Sequence, residues 1–133
     1  MILLDTQAVV WLALDSRALG KRSRRMVEKA APDGELAISA ISFWEIALLI
    51  AKNRLRRPDS VRELRQQLLN SGITELPLTG EIAISAGELE SLHGDPADRF
   101  IAATAIVHDA TLMTADEKLL RWRHPLRRQN AEA

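Results

Sequence analysis

Short apolar runs alternate along this chain with stretches of helical period. Ile2-Leu3-Leu4 is closed by Asp5-Thr6, and Ala8 to Leu14 then reads as a helix. Leu36-Ala37-Ile38-Ser39 is a second strand, followed by a helix from about Phe43 to Asn53. Ile73 to Leu78 and Ala110 to Thr114 are the third and fourth strands. Helical patterns fill the gaps: Arg17 to Ala30, Ser60 to Leu69 (Val61, Leu64 and Leu68 on one face), Glu81 to Leu92 and Ala97 to His108. Strands that are apolar throughout, alternating with helices, predict an α/β domain whose mainly parallel sheet is covered on both faces. A single domain is expected over 1–128, with 129–133 as a flexible tail.

Composition narrows the chemistry. The 133 residues are 47% hydrophobic and 27% charged, a globular balance rather than a disordered one. There is no Cys, which excludes disulfide scaffolds, thiolate metal sites and cysteine nucleophiles. His93, His108 and His124 form no close pair, so an imidazole-rich zinc site is not expected, and all three read as non-catalytic. No run approaches the roughly 18 apolar residues of a membrane span, and the first residues lack a signal peptide's positive leader, so a cytoplasmic location is expected. Eighteen basic residues balance eighteen acidic ones. That zero total conceals basic clusters at Lys21-Arg22-Ser23-Arg24-Arg25, Arg54-Leu55-Arg56-Arg57 and Arg121 to Arg128, which read either as solvated faces or as a rim for a polyanion.

The acids at the element junctions carry the functional signal. Asp5 ends the first strand, Glu45 follows the second, Asp98 opens a helix and Asp116 follows the fourth strand. Each has a capping explanation. Ser42-x-x-Glu45 and Thr114-x-x-Glu117 are capping boxes, the second leaving Asp116 to favour the helix dipole. Asp95-Pro96-Ala97-Asp98 is an N-cap with Pro at N1, and Asp5 can cap the first helix. Taken together, however, the four lie where a parallel sheet binds ligands, outside the carboxyl ends of its strands. Converging carboxylates repel unless a cation is present, and oxygen donors select a hard divalent ion. Such an ion neutralises phosphate charge and activates water without a protein nucleophile.

These residues give the chain its resemblance to the PIN-domain family, specifically the VapC-type toxin ribonucleases of toxin–antitoxin pairs. The landmarks are Leu3-Leu4-Asp5-Thr6, Ser42-Phe43-Trp44-Glu45-Ile46-Ala47, the stretch from His93 through Asp95-Pro96-Ala97-Asp98-Arg99 to Ala105, and Thr114-Ala115-Asp116. The resemblance implies an α/β/α sandwich and an endoribonuclease that uses Mg²⁺ or Mn²⁺. It places Asp5 and Asp98 as the most direct metal ligands, with Glu45 and Asp116 ligating through water or orienting it. Thr6 and Thr114 match hydroxyl positions beside the acids. Arg99 is left to contact phosphate, neutralise the acids or form a surface ion pair. The resemblance also implies an RNA substrate, a homodimer, and an antitoxin lying across a groove for which Trp11, Phe43 and Trp44 are candidates. Leu48-Leu49 stands where related chains often carry a basic residue.

Leu48 and Ile50 are expected in the core, while Trp44 stays open between core and groove. Trp122, among arginines, reads either as a base-stacking platform or as cover for the last element. A non-catalytic PIN-like module binding nucleic acid or protein is the alternative function, favoured had one of the four acids been missing. A phosphotransfer receiver would need paired early acids and a later Lys. A haloacid-dehalogenase-type phosphatase would need Asp-x-Asp-x-Thr, which Asp5-Thr6-Gln7-Ala8 does not supply.

Overall fold

The computed structural model describes residues 1–55 and 60–133. Arg56 and Arg57, half of one basic cluster, lie outside the described residues. Five strands form one parallel sheet among the described residues: β1 (Ile2–Leu4), β2 (Leu36–Ser39), β3 (Thr74–Leu76), β4 (Thr111–Thr114) and β5 (Arg128–Asn130), in the order β3-β2-β1-β4-β5. Between them run α1 (Thr6–Ala13), α2 (Lys21–Ala30), α3 (Ala40–Ala51), α4 (Val61–Asn70), α5 (Gly80–Glu88), α6 (Pro96–Val107) and α7 (Glu117–Arg121). No helix among them is long and apolar enough to cross a membrane.

Successive strand residues point to opposite faces of a sheet, and the core divides accordingly. Leu4, Leu36, Ile38 and Met113 pack with Val9, Ile46 and Leu64 of α1, α3 and α4. Leu3, Ala37 and Leu112 face the other way, onto Ile101, Ala102 and Ala105 of α6 and Leu119 of α7. Two apolar layers on one sheet make the expected α/β/α sandwich, and explain why the strands show no polar alternation.

Helix α2 begins at Lys21 rather than Arg17 and α5 ends at Glu88 rather than Leu92, and two further differences bear on the site. Ser39, not Ser42, caps α3 by accepting from Ile41 N at 3.2 Å, so the helix begins at Ala40 rather than Phe43. The closing residues are not a frayed tail. Arg128-Gln129-Asn130 pairs with β4, Ala131 is buried, and Gly20 N donates to Ala131 O at 2.8 Å. Ser23 Oγ donates to Asn130 O at 2.9 Å. A Cβ at Gly20 would sit 2.2 Å from the Ala133 carbonyl carbon, so only glycine admits this approach. Polar residues hide this edge strand from any hydrophobic pattern, because its stability comes from ladder bonds and the neighbouring helix start.

Strand order reverses at β1: the chain first builds outward through β2 and β3, then returns to add β4 and β5 on the other side. Loops leaving β1 and β4 therefore diverge and open a crevice at the strands' carboxyl ends. Leu4 pairs with Met113, which sets Asp5 level with Thr114.

Candidate active site

Asp5 is the N-cap of α1 and accepts from Ala8 N at 2.8 Å. It is only 6% exposed. Its other oxygen accepts from Thr114 Oγ1 at 2.5 Å, and Thr114 in turn accepts from Asp116 N at 3.0 Å. One hydroxyl thus ties the ends of β1 and β4 together. Asp116 is itself the N-cap of α7, accepting from Lys118 N at 2.8 Å and Leu119 N at 3.2 Å, a role the sequence had assigned to Thr114. Capping and site membership are compatible here, since a cap uses one carboxylate oxygen and leaves a second.

Glu45 does not cap. With α3 starting at Ala40 it lies in the helix's second turn, where Thr6 Oγ1 donates to its carboxylate and hydrogen-bonds with Ser42 Oγ at 2.9 Å. Asp98 stands in the first turn of α6, its amide donating to the N-cap Asp95 at 3.1 Å. All four acids line one cleft of about 510 Å³. Burial is the main cause that pushes the Asp5 carboxyl up to about 6, reinforced by the charges of Asp98 and Asp116 and opposed by the Thr114 and Ala8 bonds. Burial and neighbouring acids also raise the carboxyls of Glu45 and Asp98, against the Thr6 and His93 bonds respectively. These acids resist becoming anions together, which is the electrostatic demand a cation meets.

A sequence model of the PIN domain matches residues 2–124. The chain belongs to the PIN-domain family. It is 36% identical over 125 residues to Ribonuclease VapC22 of Mycobacterium tuberculosis, covering 93% of each chain. Its fold is similar to the crystal structure of VapBC2 from Rickettsia felis bound to a DNA fragment from their promoter, with a TM-score of 0.70, 22% identity and 98% coverage of both chains. FitAcB from Neisseria gonorrhoeae matches with a TM-score of 0.67, 24% identity and 98% coverage of both.

In this PIN domain the donor set fits a metal ion. His93, Asp98 and Asp116 each offer a ligand-type atom within 4.8 Å of the others, and Asp5 and Glu45 face the same cleft. His93 was missed by the sequence reading. Its Nε2 lies 2.7 Å from Asp98 Oδ2, a contact made across the Gly94-Asp95-Pro96 turn that no periodicity encodes. Glu132, at the cleft wall, was missed because its segment reads as a tail. Of the three groove candidates only Trp11 lines this cleft. Phe43 packs on the core, while Trp44 is 52% exposed. Leu48, expected in the core, is 36% exposed one turn after Trp44, whereas Ile50 does pack on the core.

Arg99 forms no ion pair among the described residues. Its guanidinium donates to Ala86 O at 3.0 Å, Leu89 O at 2.8 Å, Leu92 O at 3.0 Å and His93 O at 3.4 Å. The fork binds the last turn of α5 and the loop that follows it, where carbonyls lack intrahelical partners. Arg99→Lys, unable to span these carbonyls, is expected to cost about 3 kcal/mol in urea unfolding. An unchanged midpoint would show that the clamp is dispensable. Trp122 is likewise structural: it is buried, and its Nε1 donates to Glu90 O at 2.8 Å of the same loop.

Proposed function

We propose that this PIN domain is a Mg²⁺- or Mn²⁺-dependent endoribonuclease, acting in the cytoplasm as the toxin of a toxin–antitoxin pair. The observation that carries this reading is the convergence of Asp5, Glu45, Asp98 and Asp116, drawn from four separate elements, in one cleft where burial resists their ionisation. The 36% identity to a ribonuclease over nearly the whole chain supports RNA as substrate. The likeness to VapBC assemblies agrees with control by an antitoxin.

Asp5 and Asp98 would hold the cation, with Glu45 and Asp116 completing its shell directly or through water. When bound, the ion neutralises phosphate charge and supplies an activated water for in-line attack. The chain's own residues prepare that site. Thr114 fixes the Asp5 carboxylate and Thr6 fixes Glu45, so neither acid must be ordered when substrate arrives. Arg54, at the cleft wall, is placed to meet the RNA backbone. The C-terminal arginines are largely committed elsewhere: Arg121 to Glu117, Arg127 to Asp109, and Arg128 to the carbonyls of Leu119, Trp122 and His124. Trp44 and Leu48 give an antitoxin an apolar foothold on α3, and a homodimer completes the proposed assembly.

Incubating the chelator-stripped protein with structured RNA tests the reading. Cleavage is expected only after Mg²⁺ or Mn²⁺ is restored, and expression without a partner is expected to arrest growth. Cleavage that persists in excess EDTA would sink the metal-dependent mechanism.

A further inference from the structure

We infer that His93 is a positioning residue for Asp98, fixing the carboxylate that the proposed metal site requires. The inference rests on the metal-nuclease reading above and adds a residue to it. The loop that carries His93 is held from two sides. Arg99 binds the carbonyls of Leu89, Leu92 and His93 itself, and Trp122 Nε1 binds that of Glu90. Such an investment in a short irregular segment is explained by what the segment delivers: an imidazole with Nε2 2.7 Å from Asp98 Oδ2, both side chains more than four-fifths buried.

Hydrogen-bond accounting settles the ring's role. With Asp98 ionised, as a metal site requires, its carboxylate only accepts, so Nε2 is the donor across the 2.7 Å contact. Nδ1 is buried without a partner among the described residues. As a bare lone pair it is tolerated, whereas an N–H there would be an unsatisfied buried donor. Direct coordination through Nε2 would force the proton onto Nδ1, and metal-ligating imidazoles almost always give that second N–H an acceptor. The geometry therefore favours His93 bonding to the ligand over His93 being one. Asp98's other oxygen has no side-chain partner among the described residues, and the cluster with Asp116 is tight enough to share an ion.

The test compares the parent with His93→Phe and His93→Gln, using Mn²⁺ calorimetry, RNA cleavage kinetics and the Mn²⁺ electron spin resonance spectrum. His93→Phe should weaken Mn²⁺ binding and kcat by about 10- to 100-fold with KM for RNA unchanged. His93→Gln, whose amide N–H can still donate, should recover most of that loss. His93→Asn, too short to reach Asp98, replaces the Phe variant should the latter fail to fold. Parent-like Mn²⁺ affinity in both short and apolar variants would overturn the inference while leaving the nuclease reading intact. A nitrogen hyperfine coupling lost on substitution would also overturn it, by making His93 a ligand. If the parent neither binds Mn²⁺ nor cuts RNA, the nuclease reading fails first and the role of His93 falls with it.

Discussion

Asp98→Asn is expected to abolish metal-dependent RNA cleavage, by about a thousandfold or more, without unfolding the protein. The magnitude follows from removing one anionic ligand of the proposed ion, which would have to stabilise several kcal/mol of developing charge, at 1.36 kcal/mol per tenfold. Folding survives because asparagine keeps what Asp98 contributes locally. Its backbone amide still donates to Asp95, and its carbonyl oxygen can still accept from His93 Nε2. Meanwhile one charge leaves a cluster in which Asp95 and Asp116 repel Asp98. The melting temperature of the metal-free variant should therefore hold or rise. The check is a cleavage assay beside thermal unfolding; a variant that cuts at the parent's rate would show that the proposed metal site is wrong.

The second large effect is an inverted pH dependence of stability in the metal-free protein. Asp5 has a folded pKa of about 6 against an ordinary value of 3.8. The folded state thus binds its proton more tightly than the unfolded state, and stability falls as pH rises between the two values. Lowering the pH from 7 to 5 should gain about 1 kcal/mol from this group, approaching about 3 kcal/mol below pH 4. The raised carboxyls of Glu45 and Asp98 act in the same direction. Salt-bridged carboxylates do the opposite, losing stability in acid. Urea unfolding of parent and Asp5→Asn across this range isolates the contribution, since the variant lacks the titrating group. Saturating Mn²⁺ at neutral pH should restore stability through binding to the folded state alone. A flat difference between parent and variant from pH 4 to 7 would contradict the raised pKa.

Structural Arg99 and Trp122 changed the picture of the basic residues. Both belong to arginine- or aspartate-rich stretches that invite a nucleic-acid reading, yet both spend their donors on backbone carbonyls at the end of α5 and in the loop before α6. A charge count has no access to that choice, because a guanidinium facing phosphate and one facing carbonyls leave the same letter in the sequence.

What the sequence by itself determined was local and periodic. Apolar strands between helical stretches specified the parallel α/β class, because both sheet faces had to be covered. Acids just after β1 and β4, in the helix that follows β2 and at the start of α6 marked the crevice, because strand ends on one sheet edge share one side of the molecule. Tertiary structure decided the rest. Glu45 passed from cap to cleft because Ser39 starts α3 earlier. Edge strand β5 formed from polar residues because β4 offered free ladder groups and α2 an amide-lined end. His93 reached Asp98 because Arg99 and Trp122 hold a loop whose path no short-range pattern dictates. Periodicity records which face a residue turns to the core; it does not record which side chains from distant segments meet once the core has formed.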